Sequence, residues 1–367
     1  MSVALVWFRR DLRLQDNPAL QAALDAGHDV VPVYVHAPHE EGEWVPGAAS
    51  DAWRHRSLTA LDADLRARGS SLVLRSGDSL PALQLLIEQT GAEAVYWNRK
   101  YEPATQPRDA TIKRTLREQG IDAQSCNGSL LFEPWDIETQ QGQPYKVFTP
   151  YWRNVLSHWR LPAFQAAPQR LPAHAVQGLA LDALQLAPTL DWDSGFWEHW
   201  QPGEAGALEA LSVFEDGALR GYREQRDLPD RVGTSRMSPH LHFGEIAPWR
   251  IAHALEALRS AGTDADIDGY LRQLGWRDFA YHLLHHFPKT PTDNLNPRFD
   301  RFPWANPSAA QLHDWQRGNT GVPIVDAGLR ELWHTGYMHN RVRMIVASYL
   351  CKHLRAHWLH GARWFWD

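Results

Sequence analysis

The chain has 367 residues and a net charge of −6 at pH 7, a length that predicts two or three domains. Its 44% hydrophobic and 22% charged residues exclude a disordered chain. No apolar run reaches the roughly 18 residues of a membrane span. Two widely spaced cysteines, Cys126 and Cys351, exclude a disulfide framework and a thiolate metal site and favour the cytosol.

The first 130 residues alternate between short apolar runs and helical patterns. We predict strands over Val3–Phe8, Val30–Val35, Ser71–Leu74 and Ala94–Asn98. We predict helices that begin after Asn17 and that cover Ser50–Arg68 and Ser79–Gln89, the last two closed by Gly69 and Gly91. This alternation predicts a doubly wound, parallel, Rossmann-like sheet. The loop Arg9–Asp16 holds no G-x-G-x-x-G, so a nicotinamide enzyme is not expected.

Residues 131–205 lack periodicity and predict a long interdomain connector. Residues 206–367 are helical throughout, so the expected fold class is an α/β domain followed by an all-α domain. Apolar stripes mark the helices, and they comprise Leu208, Leu211, Phe214 and Leu219; Ile251, Leu255 and Leu258; Tyr270, Leu271, Leu274 and Phe279; and Met338, Val342, Ile345, Val346, Tyr349 and Leu350.

Charge and aromatic content are uneven along the chain. Residues 268–367 hold 12 Lys and Arg against 8 Asp and Glu, which fits either a local phosphate-binding face or a solvated helical surface. The 18 Trp exceed the 12 Phe and 10 Tyr. This excess is compatible with a heavy aromatic core, a stacking platform or an electron path.

Three segments combine residue types that suit a large, flat, anionic ligand. The segment Gly233–Pro239 offers hydroxyls and backbone N–H groups for a phosphate, or alternatively a Ser-capped helix start. On the next helix, Gln273 and Trp276 lie at i, i+3 and can face one cavity, where Trp276 would stack on a planar ring; the alternative is a core helix with an Arg277–Asp278 surface pair.

The third segment is Gly318–Asp326 with Gly336–Ser348, where Pro323 predicts a helix start. Asn340, Arg341 and Arg343 next to Met344 predict polar groups aimed at an anion, because a buried unpaired arginine is costly; the alternative is an exposed Arg343. The triplet His282, His285 and His286 has ligand-like spacing but no accompanying carboxylate or Cys, so no metal is expected.

Together these segments resemble the photolyase/cryptochrome family over essentially the whole chain. The matching motifs are Val6–Leu20, Lys146–Tyr151, Gly233–Ser238, Trp276–Phe279, Gly318–Asp326 and His339–Met344, in family order. The run Gly336–Met344 is most similar to bacterial cyclobutane pyrimidine dimer photolyases. The resemblance implies a lyase that repairs UV-damaged DNA with light: FAD in the helical domain, excited in its reduced form, donates an electron to a flipped-out dimer.

The resemblance also implies residue roles. The FAD-binding residues would be Tyr222, Thr234, Ser235, Arg236, Met237, Ser238, Tyr270, Asn340 and Arg343. The DNA-binding residues would be Arg226, Gln273, Trp276, Arg277, Asn340 and Arg341. The catalytic set would be Trp276, Met344 and Gln273 at the dimer, with Trp304 and Trp358 in the electron chain that photoreduces the flavin. The N-terminal domain would carry an antenna chromophore of the folate type, and the protein would be a cytoplasmic monomer without a membrane partner.

The sequence departs from the family pattern at several points. Gln273 and Asp278 stand where relatives have Glu, and Tyr337 stands where they have Trp. Family members also continue beyond Asp367, so we expect a C-terminally truncated FAD domain in which Arg343 loses its acidic partner and FAD binds weakly or not at all. The alternatives are a cryptochrome-like blue-light photosensor and an inactive photolyase remnant or gene fragment.

Overall fold

A parallel sheet of five strands forms the N-terminal part of the computed structural model, which describes residues 2–367; Met1, included in the predicted first domain, lies outside the described residues. The strands are β1 Val3–Phe8, β2 Asp29–His36, β3 Val73–Ser76, β4 Ala94–Asn98 and β5 Asp122–Cys126. Their order across the sheet is β3-β2-β1-β4-β5, and every pair is parallel. The predicted doubly wound, Rossmann-like sheet is therefore confirmed.

Helices cover both faces of this sheet. They are α1 Pro18–Asp25, α2 Ala48–Ala67, α3 Ser79–Thr90 and α4 Thr105–Glu118. Side chains of β1 alternate between two cores: Val6 and Phe8 pack on one face, while Leu5 and Trp7 pack on the other. Because both faces are covered, the inner strands β1, β2 and β4 are mainly apolar, which is why their positions were predictable.

Helix boundaries follow the predicted caps. Asn17 accepts a hydrogen bond from the Leu20 amide at 3.2 Å, with Pro18 at the first helical position. Gly91 ends α3 with a φ of +65°, in the left-handed region that favours glycine. Strand β5 and helix α4 were not predicted, because β5 contributes only Ala123 to the buried core and α4 is largely polar.

The C-terminal part is helical, as predicted. Its helices are α5 Phe148–Ser157, α6 Glu204–Asp216, α7 Tyr222–Gln225, α8 Ser238–Phe243, α9 Pro248–Ala257, α10 Asp264–His286, α11 Ala309–Gln316, α12 Pro323–Thr335, α13 Asn340–Ser348 and α14 Trp358–Trp366. Short 3-10 helices cover Pro38–Glu41, Leu181–Leu184, Ser194–Phe196 and Pro297–Arg301. No helix within residues 2–367 is long and apolar enough to cross a membrane.

Residues 131–205, predicted as an interdomain connector without clear periodicity, contain a regular helix in the structure. Helix α5 lies inside this range and contributes Phe148, Tyr151 and Trp152 to the core around α10. Its buried residues Phe148, Tyr151, Trp152 and Val155 follow the i, i+3, i+4, i+7 period of a helix, so the helical pattern was present in the sequence but was not recognised. The boundaries at 130 and 205 remain predictions.

The predicted final helix is also corrected. It begins at Asn340 rather than Met338, ends at Ser348, and continues as a π-helix over Tyr349–His353. Ile345, expected on the buried stripe, is 41% exposed. Leu258, expected on the stripe of α9, is exposed as well, because it lies just past the end of that helix.

Buried polar side chains join the sheet domain to the helices. The Arg13 guanidinium donates to the carbonyl oxygens of Gly244 and Gly128 at 2.9 and 2.8 Å. Glu204 accepts from the amides of Leu14 and Gln15 at 2.8 and 2.9 Å. Breaking such buried charged contacts is costly, so the two parts are held in one fixed arrangement.

Candidate functional site

Helices α7 and α10 form the floor of the first candidate site. Asp266 of α10 accepts hydrogen bonds from the amides of Gly221 and Arg223, each at 2.8 Å, which fixes the start of α7 on α10. This places the rings of Tyr222 and Tyr270 with their centroids 5.2 Å apart, both resting on Phe214. Burial raises the pKa of Tyr222 to about 12 and also raises that of Tyr270, so both phenols keep their protons at neutral pH.

The loop Gly233–Met237 forms a wall over this floor. The Ser235 Oγ lies 2.8 Å from the Tyr270 hydroxyl, and the Thr234 Oγ1 lies 3.0 Å from the Tyr337 hydroxyl. A Cβ at Gly233 would lie 2.5 Å from the Gln225 carbonyl oxygen, so this close approach requires glycine. The loop therefore presents hydroxyl groups from fixed positions.

Arg236 in this loop adopts a left-handed backbone with φ of +53°, a conformation that non-glycine residues rarely adopt. Its guanidinium carbon lies 4.5 Å from the Tyr337 ring centroid. Met237 is buried in the core, and Ser238 is an exposed residue that begins α8. Hydroxyl donors beside a cation on a strained loop are suited to binding an anion.

Trp276 offers an aromatic face to solvent. Its ring is stacked on Phe148 with a centroid distance of 3.7 Å and an interplanar angle of 10°, yet the residue is 46% exposed. The Arg272 guanidinium carbon lies 4.8 Å from the centroid of the Phe148 ring. One turn back along α10, Gln273 is half-buried and donates to the Gly269 carbonyl oxygen at 3.0 Å. An exposed ring held this firmly can stack on a planar ligand.

Arginines from two elements meet at the third side of the site. Arg341 donates to Asp227 Oδ1 through Nε at 2.8 Å, and Arg226 Nε lies 3.3 Å from the same oxygen. The Arg341 Nη1 atom also lies 3.6 Å from the Met344 sulfur, and Met344 is 55% exposed. The predicted partners Arg226, Arg341 and Met344 are therefore brought together.

The remaining predicted site residues of α13, Asn340 and Arg343, are exposed at the helix surface. Asn340 is its first residue, and His339 caps the helix by accepting the Arg341 amide on Nδ1 at 3.1 Å. The Arg343 guanidinium carbon lies 5.8 Å from the Phe365 ring. Arg343 is exposed, which agrees with the alternative interpretation of this residue rather than with a buried cation.

Trp304 and Trp358 both contact His357, with ring centroids 5.0 and 5.4 Å from the centroid of the imidazole. Trp358 donates its indole N–H to Asn294 Oδ1 at 2.8 Å. The two predicted members of the electron chain are thus brought into one aromatic cluster.

Arg277 does not lie with the other predicted DNA contacts. Its guanidinium donates to the Ser129 carbonyl oxygen at 2.5 Å and lies 3.6 Å from Asp278 Oδ1, so it joins α10 to the end of the sheet domain. We therefore do not group Arg277 with the predicted DNA-binding residues Arg226 and Arg341. The histidines near it on α10 pack together, and His282 is buried with both ring nitrogens hydrogen-bonded to backbone groups.

Sequence reasoning missed four side chains that build the site: Phe148, Asp227, Arg272 and Tyr337. Phe148 lies in a motif that was noticed, but its partner Trp276 is far along the chain. Asp227 was adjacent to a predicted arginine and carried no signal of its own. Tyr337 was noted only as a departure, whereas it supports both Thr234 and Arg236.

A second pocket lies at the carboxyl ends of β1, β2 and β4, where strand order reverses and parallel sheets commonly bind ligands. Trp7, Arg9, Arg10, Tyr34, Arg54, Lys100 and Arg108 are among its lining residues. Within the described residues, the buried Trp7 Nε1 and Arg9 Nε atoms have no hydrogen-bond partner. Burial lowers the pKa of Lys100 to about 8, although it is paired with Glu41.

Comparison with known proteins identifies both parts of the chain. Residues 4–173 match the family model of DNA photolyase, and residues 270–367 match that of the FAD binding domain of DNA photolyase. A deoxyribodipyrimidine photo-lyase of Agrobacterium fabrum is 45% identical over 99% of this chain and 76% of its own length. Cryptochrome-2 of Arabidopsis thaliana is 37% identical over 99% of this chain and 61% of its own length.

A solved structure shows the same fold over the whole of this chain. The class III photolyase of Agrobacterium tumefaciens superposes with a TM-score of 0.95 at 44% identity, covering 100% of this chain and 76% of that one. The chain thus spans about three quarters of the length of these photolyase relatives.

Proposed function

Because the chain belongs to the photolyase/cryptochrome family, we propose that it is a deoxyribodipyrimidine photolyase, which uses light to split cyclobutane pyrimidine dimers in UV-damaged DNA. The observation that carries this proposal is the pairing of two features on α10. Tyr270 supports a hydroxyl-rich cradle, and Trp276, on the same helix, presents an open aromatic face less than two turns further along. A cofactor and a base can be held on the same helix by this arrangement.

The cradle fits FAD by the chemistry of its donors. Thr234, Ser235 and the Tyr222 and Tyr270 hydroxyls can donate to a diphosphate, while Arg236 can balance its charge. When bound and reduced, FAD supplies the light-driven electron that opens the cyclobutane ring. The part played by these residues is to bind and orient the cofactor through hydroxyl groups that carry their protons at neutral pH.

The lesion side suits an extruded pyrimidine dimer, which is two covalently linked neighbouring bases of one strand. The Trp276 face can stack on the dimer, the exposed Met344 side chain can pack on its apolar edge, and Gln273 can hydrogen-bond its polar edge. Arg226 and Arg341 can bind backbone phosphates, which position DNA without reading its sequence. Asn340 and Arg343 on the exposed side of α13 can complete this face.

The test is an oligonucleotide that carries one dimer, mixed with the purified chain and reduced FAD. We expect the dimer to disappear under blue light and to persist in the dark. Bound FAD with no light-dependent loss of the dimer would contradict a photolyase and support a photosensor, the alternative suggested by similarity to plant cryptochromes. The stoichiometry of the bound flavin in the same sample tests whether this chain retains FAD.

The second pocket supports an antenna chromophore. A folate has a flat ring and a carboxylate tail, which suit the Tyr34 ring and the cations Arg10, Arg54 and Lys100 around it. Titration with a reduced folate should produce saturable binding that Arg54→Leu weakens. Equal binding by wild type and variant would contradict this assignment. We further propose a cytoplasmic location, which two free thiols favour. The monomeric state is proposed from the family resemblance alone.

A further inference from the structure

A single carboxylate, Asp227, lies between the two arginines assigned above to DNA phosphates. Its Oδ1 atom lies 2.8 Å from both Nε and Nη2 of Arg341 and 3.3 Å from Nε of Arg226. Arg226 follows the last residue of α7, whereas Arg341 is the second residue of α13. One oxygen atom therefore connects two elements that are more than a hundred residues apart in sequence.

Further contacts restrict both guanidinium groups. The Arg226 guanidinium carbon lies 5.5 Å from the Tyr222 ring centroid, and Arg341 Nη1 lies 3.6 Å from the Met344 sulfur. These contacts come from the floor of the cradle and from the lesion side respectively. Holding long side chains in one geometry before binding reduces the entropy lost when the ligand arrives.

A carboxylate on a phosphate-binding face also opposes binding. The Asp227 side chain is 44% exposed, so its charge acts on any DNA that approaches the arginines. The hydrogen bonds from Arg341 hold the pKa of Asp227 below its ordinary value, which keeps it ionised at neutral pH. The Asp227 charge lowers the affinity of this face for every DNA backbone. Such a charge is useful only where it favours binding of one backbone conformation over another.

We propose that Asp227 is a positioning residue that sets specificity for damaged DNA: it holds Arg226 and Arg341 in the arrangement that fits the distorted backbone around a dimer, and it repels a regular backbone. This inference rests on the proposed function, because it takes the ligand to be dimer-containing DNA. Without Asp227, the arginines of this face would bind any phosphate. With Asp227, their binding depends on the conformation of the DNA backbone.

The test compares Asp227→Asn with a matched control in the same loop, Asp230→Asn. Asp230 pairs with Arg231 at 3.5 Å, its side chain is 75% exposed, and its substitution removes the same charge. We expect Asp230→Asn to tighten binding to dimer-containing and undamaged oligonucleotides by a similar factor. Asp227→Asn should tighten binding to undamaged DNA but weaken binding to the dimer by about tenfold, and Asp227→Glu should restore part of the loss.

A second readout needs no DNA. In the FAD-free chain, the Arg341 side-chain N–H should exchange slowly with solvent in wild type and in Asp230→Asn, and rapidly in Asp227→Asn. If Asp227→Asn behaves like Asp230→Asn in both exchange and discrimination, the inference is overturned. If the wild type binds both oligonucleotides equally, the proposed function fails and the specificity role fails with it, even where the exchange result shows that Asp227 orients Arg341.

Discussion

At the scale of single residues, Arg236 places a cation in the site at the cost of a strained backbone. Arg236 holds a left-handed backbone that costs an L-residue about 1–2 kcal/mol, and its guanidinium lies over Tyr337 beside the hydroxyls of the cradle. Such strain persists where the surrounding structure imposes it, and it is common where a ligand is bound. The backbone conformation of Arg236 therefore lowers the stability of the fold, while its side chain places a cation next to the proposed diphosphate.

Arg236→Gly separates these two effects. Glycine adopts the same φ without strain, so we expect the free energy of unfolding to stay within about 1 kcal/mol of wild type, since relief of strain offsets the lost contact with Tyr337. FAD affinity should fall by about tenfold, because the cation near the diphosphate is gone. Urea unfolding and FAD titration measure the two quantities. An unchanged FAD affinity would exclude Arg236 from the cofactor site.

From the Phe148–Trp276 stack we predict that a substitution at Phe148 weakens DNA binding without weakening FAD binding. Phe148→Leu removes the aromatic partner of Trp276, and a ring pair of this kind contributes about 0.5–1.5 kcal/mol. We expect affinity for dimer-containing DNA to fall by about fivefold while FAD affinity stays unchanged.

Phe214→Leu provides the matched control on the other side of α10, because Phe214 packs against Tyr222 and Tyr270. It should weaken FAD binding and leave DNA affinity nearly unchanged. If both variants lose both affinities in the same proportion, the two effects arise from general loosening of the core and the separation is wrong.

At the scale of elements, α10 is joined to the segment after the sheet by two buried titratable groups. Asp278 accepts from the amides of Leu131 and Phe132, while His282 accepts the Tyr145 amide and donates to the Pro134 carbonyl oxygen. Burial raises the pKa of Asp278 to about 7 and lowers that of His282 to about 4. These opposite shifts give opposite pH dependences of stability.

Between about pH 4 and 7 the folded Asp278 keeps a proton that the unfolded chain has lost, so its contribution to stability falls as pH rises. Between about pH 4 and 6.5 the unfolded chain protonates His282 while the folded chain does not, so this contribution rises with pH. In wild type the two slopes oppose each other.

Single substitutions should reveal each slope. Asp278→Asn should leave stability rising with pH over this window, by up to about 1.4 kcal/mol per pH unit, and His282→Gln should leave it falling. Unfolding free energies at several pH values measure this. Variants with the same pH slope as wild type would show that neither group titrates in the fold as described.

At the scale of the whole molecule, most of the predicted strands and helices came from the period of the apolar residues. Strands β1 and β4 were predicted to the residue, because buried parallel strands are apolar on both faces. Strand β5 was missed because it is a polar edge strand. Helix α5 was missed although its buried residues follow the helical period. The FAD and DNA residues came from motif resemblance, whereas Phe148, Asp227 and Tyr337 depend on contacts between distant segments that no local pattern reports.

The central claim is that one helix, α10, brings a cofactor cradle and a lesion platform together. The most direct measurement is the light-dependent loss of dimers from an oligonucleotide in wild type, Trp276→Ala and Trp333→Ala, each loaded with FAD. Trp333 is as exposed as Trp276 but lies on α12, where its ring stacks with Trp364, and serves as the control. We predict repair by wild type and Trp333→Ala and its near loss in Trp276→Ala at equal flavin content. Equal repair by all three, or none by wild type with FAD bound, would contradict this account.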